Sequence, residues 1–204
     1  MDLIKVKEAL EYNKYTVQIF KTKEAAAEYL NKEIDGKKVG FGDSETLRAM
    51  KMYELLSAHN EVIDPPHHDK TKGMDDFIRL GREALLTDIF LTSVNALTEN
   101  GEILNMDGAG NRIAGSLFGH EKTYFVLGIN KIVPDIMTGI DRIKNVAAPK
   151  NAHRKGKKTP CAIKGDRCYN CNSPERICNT LAIHYKKMSY RPMEVIIIEE
   201  ELGL

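Results

Sequence analysis

TDIFLTSVNALTENGEILNMDGAGNR, residues Thr87 to Arg112, is the stretch on which the fold turns. It opens on Ile89-Phe90-Leu91-Thr92-Ser93-Val94, a β-rich apolar run that reads as a buried strand. Thr98-Glu99-Asn100-Gly101 follows, and Asn-Gly is a strong tight-turn signal. A second short strand is expected over Glu102 to Met106. Asp107-Gly108-Ala109-Gly110-Asn111-Arg112 is then too glycine-rich for a helix or strand interior. An acid on a turn, two glycine-permitted loops and an arginine therefore collect at strand ends, where open α/β sheets bind ligands. A plain surface hairpin is the bland alternative.

Outward from this stretch, strands and helices alternate. Upstream, Lys37 to Gly42 reads as a strand running into Gly42-Asp43-Ser44-Glu45-Thr46. From Ser44 to His59 the apolar spacing turns helical, with Leu47, Met50, Met52, Leu55 and Leu56 as the core band. The start of such a helix leaves N–H groups unpaired and carries partial positive charge, so an anion can settle there. Ser44 can cap it, and Thr46 can donate to a ligand. Glu61 to Asp64 is a further strand, closed by Pro65-Pro66. His67-His68-Asp69 reads as loop, and Gly73 to Leu86 as an amphipathic helix. Downstream, Lys122 to Leu127 is a buried strand, and Asn130 to Asp135 is expected to open a helix with Pro134 in its first turn. Ile136, Ile140, Ile143 and Val146 would be its buried side. Met193 to Ile198 is a terminal strand. The alternation implies an α/β fold with a mostly parallel sheet flanked by helices.

The ends of the chain differ from this pattern. Residues 2–34 show two helical stripes, Leu3/Val6/Leu10 and Ala26/Leu30/Ile34, with Thr22 able to cap the second. They are expected as an N-terminal helical segment, 1–36, packed on the sheet or standing off it as an arm. Residues 150–188 form a basic and cysteine-rich insertion in a single domain spanning 1–204. The run Lys150 to Lys158 reads as a solvated loop, since it lacks the interleaved aromatics of a nucleic-acid patch.

Cys161, Cys168, Cys171 and Cys178 follow as C-x6-C-x2-C-x6-C. Thiolates at x2 spacing can reach one ion, so a zinc site is expected, or an iron–sulfur cluster on the same four sulfurs. His153 and His184 are reserve ligands, and a redox disulfide or four free thiols is the alternative. Composition is ordinary for a globular protein: 204 residues, 42% hydrophobic, 29% charged, net charge +1. Such a charge gives no general pull toward nucleic acid or acidic membranes. No apolar run approaches the ~20 residues needed to cross a bilayer. With no signal-peptide pattern at the N-terminus, a cytoplasmic location is expected.

Four stretches taken together resemble the lactate-utilisation (LUD) domain family: Gly40-Phe41-Gly42-Asp43-Ser44-Glu45-Thr46, Thr98-Glu99-Asn100-Gly101, Gly110-Asn111-Arg112, and Val126 to Asp135. The resemblance runs from about Val39 to Val146. It implies a fold similar to the ribose-phosphate isomerase, glucosamine-phosphate deaminase and coenzyme A transferase superfamily. It also implies a role beside iron–sulfur proteins in lactate oxidation, as an enzyme or as an accessory subunit to an iron–sulfur partner. Thr98-Glu99-Asn100-Gly101 looks like the turn that carries the transferases' attacking glutamate, so Glu99 is the candidate catalytic carboxylate. Gly40, Gly42, Asp43, Ser44, Thr46, Asn100, Gly101, Asn111 and Arg112 are the candidate residues for an anionic ligand: a nucleotide, a coenzyme A ester or a hydroxy acid. A homo-oligomer is compatible with all of this.

Overall fold

A computed structural model describes residues 2–204. In chain order the elements are α1 (Leu3–Tyr12), β1 (Thr16–Phe20), α2 (Lys23–Glu33), β2 (Lys38–Phe41), α3 (Glu45–Ala49), α4 (Met52–Ser57) and β3 (Glu61–Ile63). Then follow α5 (Gly73–Ala84), β4 (Ile89–Thr92), β5 (Ala96–Thr98), β6 (Ile103–Asp107), α6 (Asn111–Leu117), β7 (Lys122–Gly128) and β8 (Ile132–Val133). The chain closes with α7 (Ile136–Arg142), α8 (Ala148–Arg154), α9 (Pro160–Lys164), β9 (Thr180–His184) and β10 (Met193–Ile198).

The main sheet has six strands in the order β1-β10-β7-β4-β2-β3, every neighbouring pair parallel. Its strands are near-continuous apolar runs because both faces are covered. Side chains alternate between those faces. Val39, Phe41, Leu91, Tyr124, Val126, Ile196 and Ile198 pack with α2, α3 and α4. Phe125, Leu127, Val195 and Ile197 point the other way, toward α1 and the hairpin residues Leu97 and Ile103. That hairpin belongs to a second sheet, β8-β5-β6-β9. Its far face, with Ala96, Leu104 and Val133, is covered by Ile140 of α7 and by Ile143 just beyond it.

The first 36 residues contain more than two helices. Between them runs β1, which pairs with β10 from Thr16↔Glu194 to Phe20↔Ile198 and forms the edge of the main sheet. Val6 and Leu10 of α1 are fully buried, so the segment is part of the core and not a free arm. Its two helical stripes hide a five-residue strand too short to show a period of its own. Thr22 caps α2 as expected, accepting from the Ala25 amide.

Other boundaries move for local reasons. The helix expected from Ser44 to His59 is broken at Lys51, whose left-handed φ of 55° separates α3 from α4 and leaves Leu55 partly exposed. The helix expected from Asn130 begins only at Ile136, capped by Asp135 accepting from the Thr138 amide. Ile132 and Val133 are taken instead by β8, pairing with Leu97 and Thr98, and Pro134 lies outside the helix. From α7 the helix continues through a π turn at Ile143–Ala147 into α8. Pro149, which has no N–H to give, sits just beyond that turn. Val146 is exposed there. Lys150 to Arg154 are thus helical, where the basic run suggested a loop. No helix among the described residues is long and apolar enough to cross a membrane.

Candidate functional site

Consecutive connections leave the sheet in opposite directions at β2 and β4. After β2 the chain moves outward to β3; after β4 it moves the other way, through the hairpin to β7. Side chains of the two loops cannot fill the crevice between them, which is why such switch points hold ligands. Here the crevice is a small cavity of about 40 Å³, lined by Asp43, Ser44, Glu45, Ser93, Asn95, Arg112, Lys131, Asn151 and Arg154.

Lys131 dominates it. The residue follows β7 in a single 3-10 turn and is only 3% exposed. Its Nζ lies 2.9 Å from Ser93 Oγ and 3.0 Å from Thr46 Oγ1, both hydroxyls, and no carboxylate pairs with it among the described residues. Burial lowers its pKa to about 7, helped by the positive charges of Arg142 and Arg112. A buried ammonium without a counter-ion is costly. Gly203 approaches it closely: a Cβ there would stand 2.6 Å from Thr46 Oγ1 and 3.1 Å from Lys131 Nζ.

Arg112 forms one wall, in the first turn of α6. Asp107 Oδ1 accepts from its Nε at 2.7 Å, while Met106 O and Asn95 Oδ1 accept from Nη2. Gly42 makes room for it, since a Cβ would come within 3.1 Å of Arg112 Cγ and 2.7 Å of Thr92 Oγ1. Arg142 ties the loops after β4 and β7 together by donating to Asn95 O at 2.7 Å and Asn130 O at 3.0 Å. The lip is an ion-pair lattice between α3 and α8. Asp43 pairs with Lys155 and Arg48, and Glu45 with Arg154 and Arg48. Burial pushes the Asp43 carboxyl up, but Lys155 and Arg48 overcome it and hold the group at about 2.

Of the residues the sequence singled out, Asp43, Ser44 and Arg112 line this cavity, and Gly42 shapes it. Ser44 caps α3 by accepting from the Leu47 amide. That helix start is met by the chain's own Asp43 and Glu45, both paired with Arg48. Thr46 is fully buried beneath the cavity with its hydroxyl already engaged, and does not face it. Gly40 serves packing: a Cβ would collide with Ala84 O at 2.4 Å. Asn111 opens α6 away from the cavity. Glu99, Asn100 and Gly101 sit at the tip of the β5–β6 hairpin, at the far end of that sheet's short strands. Glu99 is exposed and lines no cavity wall with Asp43 or Ser44. Gly101 packs on α1, and Asn100 O accepts from Asn13 Nδ2. The structure therefore separates the Glu99 turn from the Gly42–Ser44 loop.

Ser93, Asn95, Asn151 and Arg154 carry no motif, and Lys131 lies inside the Val126 to Asp135 stretch without being singled out there. The available signal was a single lysine in the apolar run Val126 to Pro134, directly after a buried strand. A lysine so placed has nowhere to send its charge except the sheet end.

The cysteines behave as one group. Cys161, Cys168, Cys171 and Cys178 are unpaired, half-buried, and line a single small cavity against α8. Among the described residues no group of three or more His, Cys, Asp or Glu is disposed to hold a single metal ion. His153 and His184 do not join the thiols. His153 Nδ1 bonds to Ala162 O, and His184 is buried in β9 against Ser116, where desolvation lowers its pKa to about 4. His67 likewise bonds to Asp64 and stacks on Tyr53.

Fold and site together define a class: an α/β protein that gathers cationic side chains where parallel strands end at a switch point. The chain belongs to the LUD domain family, whose family model matches residues 3–198. It is similar in structure to a DUF162 family protein from Deinococcus radiodurans, with a TM-score of 0.51 at 12% identity over 96% of this chain and 95% of that one. At that identity the likeness speaks for the fold. No curated protein matches the sequence.

Proposed function

We propose that this protein binds a small molecule through an anionic head, a carboxylate or phosphate, at the carboxyl ends of β2, β4 and β7. One observation carries the reading: Lys131 is buried with hydroxyl partners only, in a cavity that Arg112 and Arg154 also line. An anion there would supply the missing counter-charge, form charge-assisted hydrogen bonds and raise the Lys131 pKa. The cavity's about 40 Å³ suits the head group, with the rest of a hydroxy acid, nucleotide or coenzyme A ester lying toward the α3–α8 lip. The test is a thermal-shift and calorimetric screen of phosphate, small hydroxy acids, nucleotides and coenzyme A esters against wild type and Lys131→Met. A ligand that binds only the folded state raises the Tm. Binding by wild type and not by the variant supports the reading; equal binding by both overturns it.

A second reading, acyl transfer, moves from Glu99 to Ser93. With Lys131 held near neutrality, its free amine at 2.9 Å can accept the Ser93 hydroxyl proton as the oxygen attacks an acyl carbonyl and the leaving group departs. A hydroxylamine-sensitive adduct on Ser93, absent in Ser93→Ala, is the expected sign; no adduct with any acyl donor restricts the site to binding.

A further inference from the structure

We propose that Cys161, Cys168, Cys171 and Cys178 ligate one four-iron iron–sulfur cluster, in preference to a single zinc ion. All four residues surround the same cavity, closed by Ala148 and Ala152 of α8. Four-coordinate zinc draws its sulfurs to about 2.3 Å from one point, which leaves no space between them. Here the four thiols line one cavity, and no three of them are disposed to grip one ion. A cluster needs that arrangement, because each thiolate holds a different iron and the sulfurs stand apart around an inorganic core.

The cavity wall supports the same occupant. It presents almost no nitrogen or oxygen, so ordered water would find few partners there. Polar groups act instead on the thiols and their backbone. The Asn170 amide donates to Cys168 Sγ at 3.3 Å, and Thr159 Oγ1 lies 3.3 Å from Cys161 Sγ. Arg176 clamps the loop by donating to Cys171 O at 2.7 Å and Cys178 O at 3.0 Å. Donors near the sulfurs and fixed positive charge are among the means by which a protein stabilises a thiolate-bound cluster. Eight Lys and Arg stand against two acids between residues 150 and 178. That surplus offsets the net negative charge of four thiolates around an iron–sulfur core.

The position also gives the cluster something to hold. Ala148 and Ala152 face the thiols, while Asn151 and Arg154 of the same helix face the anion cavity. The cluster assignment stands on the cysteines alone and is independent of the anion reading.

The experiment is anaerobic purification of the full chain, followed by reconstitution with ferrous iron and sulfide. Expected are about four iron and about four acid-labile sulfide per chain, with visible absorption that dithionite bleaches. Cys168→Ser/Cys171→Ser should lose both. Since that variant could also disorder its loop, a second measurement uses wild type only: alkylation read by mass spectrometry, in which reconstitution protects all four cysteines together. One zinc per chain without sulfide overturns the assignment, as does iron bound equally by the double variant or alkylation undiminished by reconstitution.

Discussion

Replacing Lys131 by methionine should make the ligand-free protein more stable at pH 6 while removing its response to anions. In the folded chain the amine titrates at about 7, against an ordinary value of 10.5, because burial and two arginines disfavour its charge. Between those values the unfolded lysine retains a proton that the folded one has shed, so wild-type stability rises with pH across this window. Below pH 7 both are protonated and the full cost of the buried charge is present. At about 1.36 kcal/mol per pH unit that cost is ~5 kcal/mol. Methionine keeps most of the volume and removes the charge, but Thr46 and Ser93 each lose a hydrogen bond worth about 1–1.5 kcal/mol. The net gain at pH 6 is then about 2–3 kcal/mol, or roughly 5–10 °C in Tm for a chain of this size. At pH 9 only about 2 kcal/mol of the cost remains, and the two proteins should be nearly equal. Urea and thermal denaturation at pH 6, 7.5 and 9 measure this directly. A variant less stable than wild type at pH 6, or a difference that does not change with pH, would refute the account of Lys131.

Gly42→Ala should lower stability by about 1–3 kcal/mol and weaken anion binding, since its methyl group must displace Arg112 or Thr92; unaltered binding would show that Arg112 does not contribute. Glu99→Gln, on an exposed hairpin tip, should change stability by less than about 0.5 kcal/mol and leave anion binding intact, as titrations of both proteins would report. Lys155→Ala removes a cation that holds the Asp43 carboxyl at about 2, so the variant should lose the Asp43 carboxylate's contribution to stability at a higher pH as acid is added. In wild type that contribution is present above the ordinary carboxylate value of 3.8 and is lost as pH falls through about 2, which amide exchange in α8 can follow. Reconstituted protein should bind phosphate a few-fold more tightly than metal-free protein, because α8 then presents Asn151 and Arg154 in fixed positions; identical affinities would uncouple the two sites.

Much of the fold was legible because its signals are local. Buried parallel strands are continuous apolar runs, so Ile89 to Val94, Lys122 to Leu127 and Met193 to Ile198 could be read directly, and their alternation with helical stripes implied the α/β architecture. Capping is equally local, and Thr22 and Ser44 cap the helices that follow them. β1 was not legible: five residues between two strong helices acquire strand character only by lying beside β10. β8 was hidden likewise, as two residues claimed by Leu97 and Thr98 before the helix can begin.

The site divides along the same line. Gly42, Asp43, Ser44 and Arg112 could be found in sequence because a glycine turn at a strand end is a local pattern. Lys131 could not, because an amine's neighbours are set by which strand ends lie side by side, and Thr46, Ser93 and Lys131 come from α3, the loop after β4 and the turn after β7. Glu99 shows the converse. Its turn matched a familiar pattern, but the pairing of β5 with β6 and β8 carries that turn onto α1, away from the crevice. Cysteine spacing by itself established only that four thiols lie close together along the chain. Only the packing of α8 and α9 around them decided that they line one cavity, since spacing along a chain bounds how far apart two sulfurs can be but not where within that reach the surrounding structure holds them.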